Sequence, residues 1–341
     1  MAVQLQSTLM SAPSNIESSN TSSVFRKILV ATAFGMLIFG GLSLYGDVDA
    51  VSRELRNFDY RYLWLALGLS LGNFLIRACR WQYYLRYVHV PVPWVESFLV
   101  FFAGMVMTVT PGKAGEVFKS FLLKWTRDAP LAKTSAIVIA ERVTDLVALL
   151  ILSAWGILLF PAGALFAVGL LCIAFGLILV VAWRGAALMC LNLLARLPYL
   201  REKKDRLLEA YESLVAVLRP FPLLIGVVLA VVAWSLQVVA LVALVFGAAQ
   251  VTISLQGAAF AYCSPLLAGV IAFLPGGIGI TEVGMASALA QTGAWATPGA
   301  VVTVTILGRL ATLWFAVGLG GLALAVHRQI TGWALKRDAS A

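Results

Sequence analysis

Long apolar runs dominate the chain between Lys27 and His327, and the stretches separating them are short, charged or rich in proline and glycine. Runs at about 27–45, 60–79, 133–160, 162–183, 223–246 and 298–326 each hold enough residues, at about 1.5 Å of helical rise apiece, to cross a hydrocarbon core of about 30 Å. The pattern predicts about six full transmembrane helices. Residues 94–126 and 255–292 are apolar too, but each is interrupted: by Thr110-Pro111-Gly112-Lys113-Ala114-Gly115-Glu116 in the first and by Leu274-Pro275-Gly276-Gly277-Ile278-Gly279 in the second. Proline and clustered glycines stop a helix, and at membrane depth irregular backbone survives only where protein or water covers it. The arm after the first break, about 115–125, rises roughly 16 Å, half a membrane. Both regions are therefore predicted to be re-entrant broken-helix hairpins, with two kinked full spans as the alternative.

Composition removes the soluble alternatives. Hydrophobic residues make up 61% of the 341 and charged residues 12%, against about 45–50% and about 25% in ordinary globular domains. An all-α polytopic membrane protein is the fold class that remains. The formal charge of +9 suits either nucleic acid or the cytoplasmic loops of such a protein, and its distribution selects the loops. With the amino terminus inside and each hairpin returning to its own side, Arg80, Lys119, Lys124 and the basic residues from Arg184 to Arg219 fall on the inner side. The outer segments around 161, 247–256 and 293–298 carry none. Only the first outer loop, Gly46 to Arg61, is mixed, with Arg53, Arg56 and Arg61 offset by four acids. Both termini are accordingly expected in the cytoplasm of a bacterial inner membrane, and no nucleic-acid partner is expected.

Residues 1–25, rich in Ser, Asn and Thr, read as a disordered tail, 26–330 as a single transmembrane domain and 331–341 as a second tail. No small-x-small cleavage pattern follows the first run, which is read as an uncleaved span. Between them, residues about 184–222 carry Leu207, Leu208, Tyr211, Leu214, Val215 and Leu218 at helical spacing among charges, the pattern of an interfacial amphipathic helix. Cys79, Cys172, Cys190 and Cys263 have no paired spacing and read as buried apolar fillers; His89 and His327 sit in polar flanks far apart. Neither a metal site nor a cofactor is expected. Trp64, Trp81, Trp94 and Trp125 fall near predicted membrane borders, where tryptophan anchors.

The two broken regions repeat one another weakly. Pro111-Gly112, Gly115 and Glu116 answer Pro275-Gly276, Gly279 and Glu282; Arg142 then lies 26 positions after Glu116, and Arg309 lies 27 after Glu282. Repeat one covers about 60–160 and repeat two about 223–326. Under the topology above the first hairpin enters from the cytoplasm and the second from outside, so the repeats are predicted to be inverted, an arrangement in which two halves rock around a central site. Rises of about 14 and 17 Å from the nearer membrane faces bring Arg142 and Arg309 to the midplane. The second arms begin near that depth at Gly112, Lys113, Gly276 and Gly277, with uncapped amides expected to point inward.

Charges in spans cost about 2.5–3.5 kcal/mol on insertion scales and usually mark a site or pathway. Lys113, Arg142 and Arg309, with Gly112, Gly276 and Gly277, are therefore the candidate anion-binding residues, phosphate being the natural ligand. Glu116, Glu141, Asp145 and Glu282 are candidates for coupling or charge pairing. Purely structural pairings are the alternative: Arg142 with Asp145 one turn on, and Glu141 with Lys113 or Arg309. Arg77 and Arg80, near the inner end of the second span, are expected to snorkel to headgroups. No nucleophile–base–acid set and no nucleotide-binding loop is present, which argues against ATP-driven chemistry.

Pro-Gly-Lys-Ala-Gly-Glu at 111–116, Glu-Arg-x-x-Asp at 141–145 and Pro-Gly-Gly-Ile-Gly at 275–279, in this order, resemble the flippase-like family built on the transmembrane region of lysylphosphatidylglycerol synthase. The resemblance covers about residues 25–330 and implies a lipid translocation module. The chain ends soon after its last span, so the aminoacyl-transferase domain that some members carry is not expected. Lys113 stands where the family often shows arginine, and Gly308 and Thr312 stand where the first half has Glu141 and Asp145. The function expected is translocation of an anionic phospholipid, or a polyprenyl-phosphate-linked glycan, between leaflets. A membrane scaffold for a lipid- or glycan-biosynthesis enzyme and an intramembrane transferase are the alternatives.

Overall fold

In a bilayer every backbone amide must find its partner within the segment, so apolar stretches of this length become helices. The computed structural model describes residues 48–110, 114–161, 163–182, 204–293 and 295–331, and no strand occurs among them. The first part of the chain forms α1 (Val48–Asn57), α2 (Tyr60–Tyr87) and α3 (Trp94–Gly104), then short 3-10 turns at Met105–Val109 and Ala114–Val117, then α4 (Phe118–Arg127). Next come α5 (Leu131–Ile157), α6 (Gly163–Ala182), α7 (Lys204–Val217) and α8 (Pro220–Ala249). The chain closes with α9 (Leu255–Ile271), α10 (Ile280–Leu289), α11 (Pro298–Arg309), a π-helical segment Leu310–Trp314 and α12 (Phe315–Thr331).

Among the described residues three helical stretches are long and apolar enough to cross a membrane: Tyr60–Tyr87, Pro220–Ala249 and Pro298–Thr331. The predicted runs at 133–160 and 162–183 are helical as α5 and α6, of 27 and 20 residues. α5 has ample length, but Glu141, Arg142 and Asp145 lie mid-helix. The run at 27–45 lies outside the described residues, as do both tails, residues 184–203 and Cys190. Both expected breaks are present: α3 gives way to 3-10 turns before α4, and α9 stops ahead of Pro275 before α10.

Several local expectations are corrected. The first outer loop is not a loop: α1 is a short amphipathic helix whose Val51 is buried and which packs on α11. Cys79 and Cys172 are exposed, and of the described cysteines only Cys263 is a buried filler. Trp64, Trp94 and Trp125 are exposed as anchors should be, but Trp81 is fully buried, as is His327.

Packing explains where the interior lies. α2 runs along α8, α5 is flanked by α6, α7 and α9, and α12 lies against α3 and the first 3-10 turn. The last contact needs Gly320, because a Cβ there would come within 2.6 Å of the Val106 nitrogen. The apolar side chains form two large clusters. One joins the later part of α5 to α8, α9, α10 and α11; the other joins the later part of α2 to α3, α4, the early part of α5 and α12. Where they meet, near Asn73 to Arg80 on α2 and Glu141 to Asp145 on α5, the interior is polar.

Candidate functional site: two buried charge clusters

One face of α2 carries Ser70, Asn73, Arg77, Arg80 and Tyr84, all buried. Their spacing of three or four residues sets them in a stripe. The stripe faces α8, where Ser70 donates to Gln237 Oε1 at 3.1 Å and Asn73 to the Ala233 carbonyl at 2.7 Å. Further along it faces α5. Arg80 donates to Asp145 Oδ1 at 2.7 Å and to Thr144 Oγ1 at 3.0 Å. Arg77 reaches Asp145 Oδ2 only at 3.4 Å, and its guanidinium carbon lies 5.6 Å from the centre of the Trp234 ring.

Arg142 enters the same network from α5. Its Nη2 lies 3.1 Å from Asp145 Oδ2 and 2.9 Å from Glu116 Oε2, and its side chain keeps 22% of its surface exposed. Lys119, on α4, pairs with Glu141, and its ammonium rests 4.3 Å from the centre of the Trp81 ring and 5.0 Å from that of Phe101. Desolvated cation–π contacts of this kind contribute about 2 kcal/mol. Among the described residues four cations thus face three carboxylates, Glu116, Glu141 and Asp145.

The second cluster is smaller and closed. Arg309, at the end of α11, donates from Nε to Glu282 Oε1 at 2.6 Å and from Nη2 to the Gly276 carbonyl at 2.6 Å. Glu282 Oε2 accepts the Gly279 amide at 2.6 Å, which caps α10. The turn needs φ of +60° at Gly276, +70° at Gly277 and +98° at Gly279, a region that disfavours any Cβ. Glu282 therefore fastens both the arginine and the turn.

A cavity of about 40 Å³ lies between the two clusters. Arg77 lines it from one side and Arg309 from another, with Asn73, Gln237, Tyr262 and Thr312 between them. That is room for a few water molecules, and two guanidiniums contribute to its wall.

The residues named from the sequence thus divide. Arg142 pairs with Asp145, as the structural alternative held, and also with Glu116; Arg309 pairs with Glu282. Glu141 takes Lys119 rather than Arg309. Gly112 and Lys113 lie outside the described residues. Gly276 turns its carbonyl, not its amide, toward Arg309, and the Gly277 amide bonds to the Leu274 carbonyl at 3.0 Å, so the expected array of inward amides does not form there. Arg77 and Arg80 do not snorkel to headgroups: both are buried, because Asp145 lies within their reach on the neighbouring helix. Lys119 and Arg80, counted with the cytoplasmic segments under the expected topology, are interior cations. The signal available for Arg80 was its place on the face of Asn73 and Arg77; for Lys119 there was none. Among the described residues no group of His, Cys, Asp and Glu could hold a metal ion.

Comparison with known proteins places this arrangement. The family model described as the lysylphosphatidylglycerol synthase TM region matches residues 27–320. A UPF0104 membrane protein of Methanothermobacter thermautotrophicus is 24% identical over 308 residues, covering 85% of this chain and 90% of that protein. A UPF0104 membrane protein of Pyrococcus horikoshii is 23% identical over 329 residues, covering 86% and 97%. Together with the long apolar helices, these likenesses make the chain an integral multi-pass membrane protein. Since the match takes in both broken regions and every residue of the two charge clusters, the chain belongs to the lysylphosphatidylglycerol synthase transmembrane-region family.

Proposed function

We propose that this protein translocates an anionic lipid, a phospholipid or a polyprenyl-phosphate-linked glycan, between membrane leaflets, with the phosphate passing between Arg77 and Arg309. The observation that carries the reading is the interior cavity lined by those two arginines. Buried arginines that line one space, each with a fixed partner behind it, offer an anion charge-assisted donors without being left bare when it departs. The cavity, at about 40 Å³, is too small for a headgroup. Lipid entry then requires the clusters to part.

The two breaks support a two-halved mechanism. Each Pro-Gly interruption is followed by a glutamate that holds an arginine 26 or 27 positions further on. We take the halves as inverted repeats with re-entrant hairpins, rocking about the cavity from a cell inner membrane with cytoplasmic termini. Arg142, Glu116, Glu141 and Asp145 then form the charge lock of one half, and Glu282 with Arg309 that of the other. Lys113, in the loop of the first break, joins the anion path.

Reconstitution into liposomes carrying headgroup-labelled anionic lipid tests the reading. The parent protein moves label between leaflets, whereas Arg77→Gln, and Arg309→Gln combined with Glu282→Gln to keep the second cluster neutral, lower the rate at least about tenfold, the scale of one lost charge-assisted hydrogen bond. Parental rates in both variants would overturn it.

A further inference from the structure

A second pocket lies at the end of the bundle where α2 stops and α5 and α8 begin, away from both charge clusters. It has a volume of about 630 Å³, within the roughly 300–1,000 Å³ typical of small-ligand sites. Its wall carries charges of both signs: Arg86, Lys133 and Arg219 with His89, and Glu209 and Glu212 from α7. Among the described residues none of these makes an ion pair within 4.0 Å; Arg86 instead lies 4.8 Å from the centre of the Trp94 ring. Cations and carboxylates therefore share one space without neutralising each other by contact. A ligand with both a phosphate and an amine satisfies both.

The surroundings select the source of that ligand. Two residues beyond Arg219 an apolar strip begins on α8, formed by Phe221, Leu224, Val228 and Val232 at 69%, 61%, 51% and 46% exposure. Their spacing of three and four residues puts them on one face. A soluble compound has no use for such a strip; an acyl chain does, and Trp94 beside the pocket, 46% exposed, marks the interfacial depth.

We infer that this pocket is a docking site for the zwitterionic headgroup of a membrane aminophospholipid, with phosphate held by Lys133 and Arg219, the amine by Glu209 and Glu212, and an acyl chain lying along α8. This is independent of translocation, since it uses no residue of the central cavity.

Native mass spectrometry of the purified full chain, titrated with phosphatidylethanolamine, phosphatidylglycerol or O-phosphoethanolamine, tests it. With the central path weakened by Arg77→Gln, the protein retains phosphatidylethanolamine in preference to phosphatidylglycerol and binds O-phosphoethanolamine far more weakly. Lys133→Gln with Arg219→Gln weakens retention of phosphatidylethanolamine at least about tenfold, and Glu209→Gln with Glu212→Gln abolishes the preference over phosphatidylglycerol. The Arg77→Gln variant retains the lipid like the parent, which separates this site from the translocation path. An Arg77→Gln protein that prefers phosphatidylglycerol, O-phosphoethanolamine binding to the parent as tightly as phosphatidylethanolamine, or a parental lipid profile in either double variant would each overturn the proposal; the second needs no variant to fold.

Discussion

The two broken regions start from similar sequence and arrive at different electrostatics. After the first break, Glu116 holds an Arg142 that also meets Asp145, which in turn serves Arg77 and Arg80. After the second, Glu282 holds Arg309 alone and spends its other oxygen on the turn. At the positions matching Glu141 and Asp145 the second half has Gly308 and Thr312, and Thr312 turns its hydroxyl back to the Gly308 carbonyl at 2.8 Å. Without those two acids there is nothing to compensate further cations, so the second cluster stays at one pair. A shared network tolerates rearrangement but hinges on its common member; an isolated clip hinges on both of its parts.

That contrast is breakable. Asp145→Asn is expected to do the most damage, about 4–5 kcal/mol by thermal unfolding in detergent, because one substitution deprives three guanidiniums. Next, Glu282→Ala costs about 3–4 kcal/mol, since it leaves Arg309 buried without its carboxylate and uncaps α10. If the clip is isolated, adding Arg309→Met recovers more than half of that loss, whereas adding Arg142→Met to Asp145→Asn recovers little, as Arg80 still lacks its carboxylate. Equal recovery in both would erase the distinction. Lys119→Met, which leaves the buried Glu141 without its ion-pair partner, is expected to cost about 3 kcal/mol and to be relieved by Glu141→Leu. Gly276→Ala, at a φ of +60°, costs about 1 kcal/mol. Smallest is Lys124→Ala: its partner Asp128 has an 86% exposed side chain, and such surface pairs contribute about 0–1 kcal/mol. A loss there as large as that at Lys119 would mean that the surface of α4 is covered by something further.

The sequence revealed the breaks and the acid–arginine spacing because both are local: prolines and glycines interrupt a helix wherever it packs, and a repeat distance survives folding. The Glu116–Arg142 and Glu282–Arg309 pairs lie at that matched spacing, although the pairings the sequence suggested were Arg142 with Asp145 and Glu141 with Lys113 or Arg309. Arg80 and Lys119 were misplaced for the opposite reason. Each stands near the end of an apolar run, where the chain alone cannot tell a side chain that climbs to water from one that a neighbouring helix meets. Asp145 decides the matter for Arg80; Trp81, Phe101 and Glu141 decide it for Lys119. The cavity was illegible too, being lined from α2, the first 3-10 turn, α8, α9, the second break and the stretch from Arg309 to Ala316, which only tertiary packing assembles.

The π-helical segment Leu310–Trp314 sits immediately after Arg309 in an otherwise α-helical stretch of 34 residues. Such a segment amounts to one extra residue accommodated in the winding. It acts as a phase shifter: the part of the helix before it and the part after it are keyed to different neighbours, Arg309 to the second break and Gly320 to the first 3-10 turn. Were the same residues wound as uninterrupted α-helix, the part after the segment would be turned by about 100° against the part before it. The helix could then keep its seat on the first break or its grip on the second, but not both.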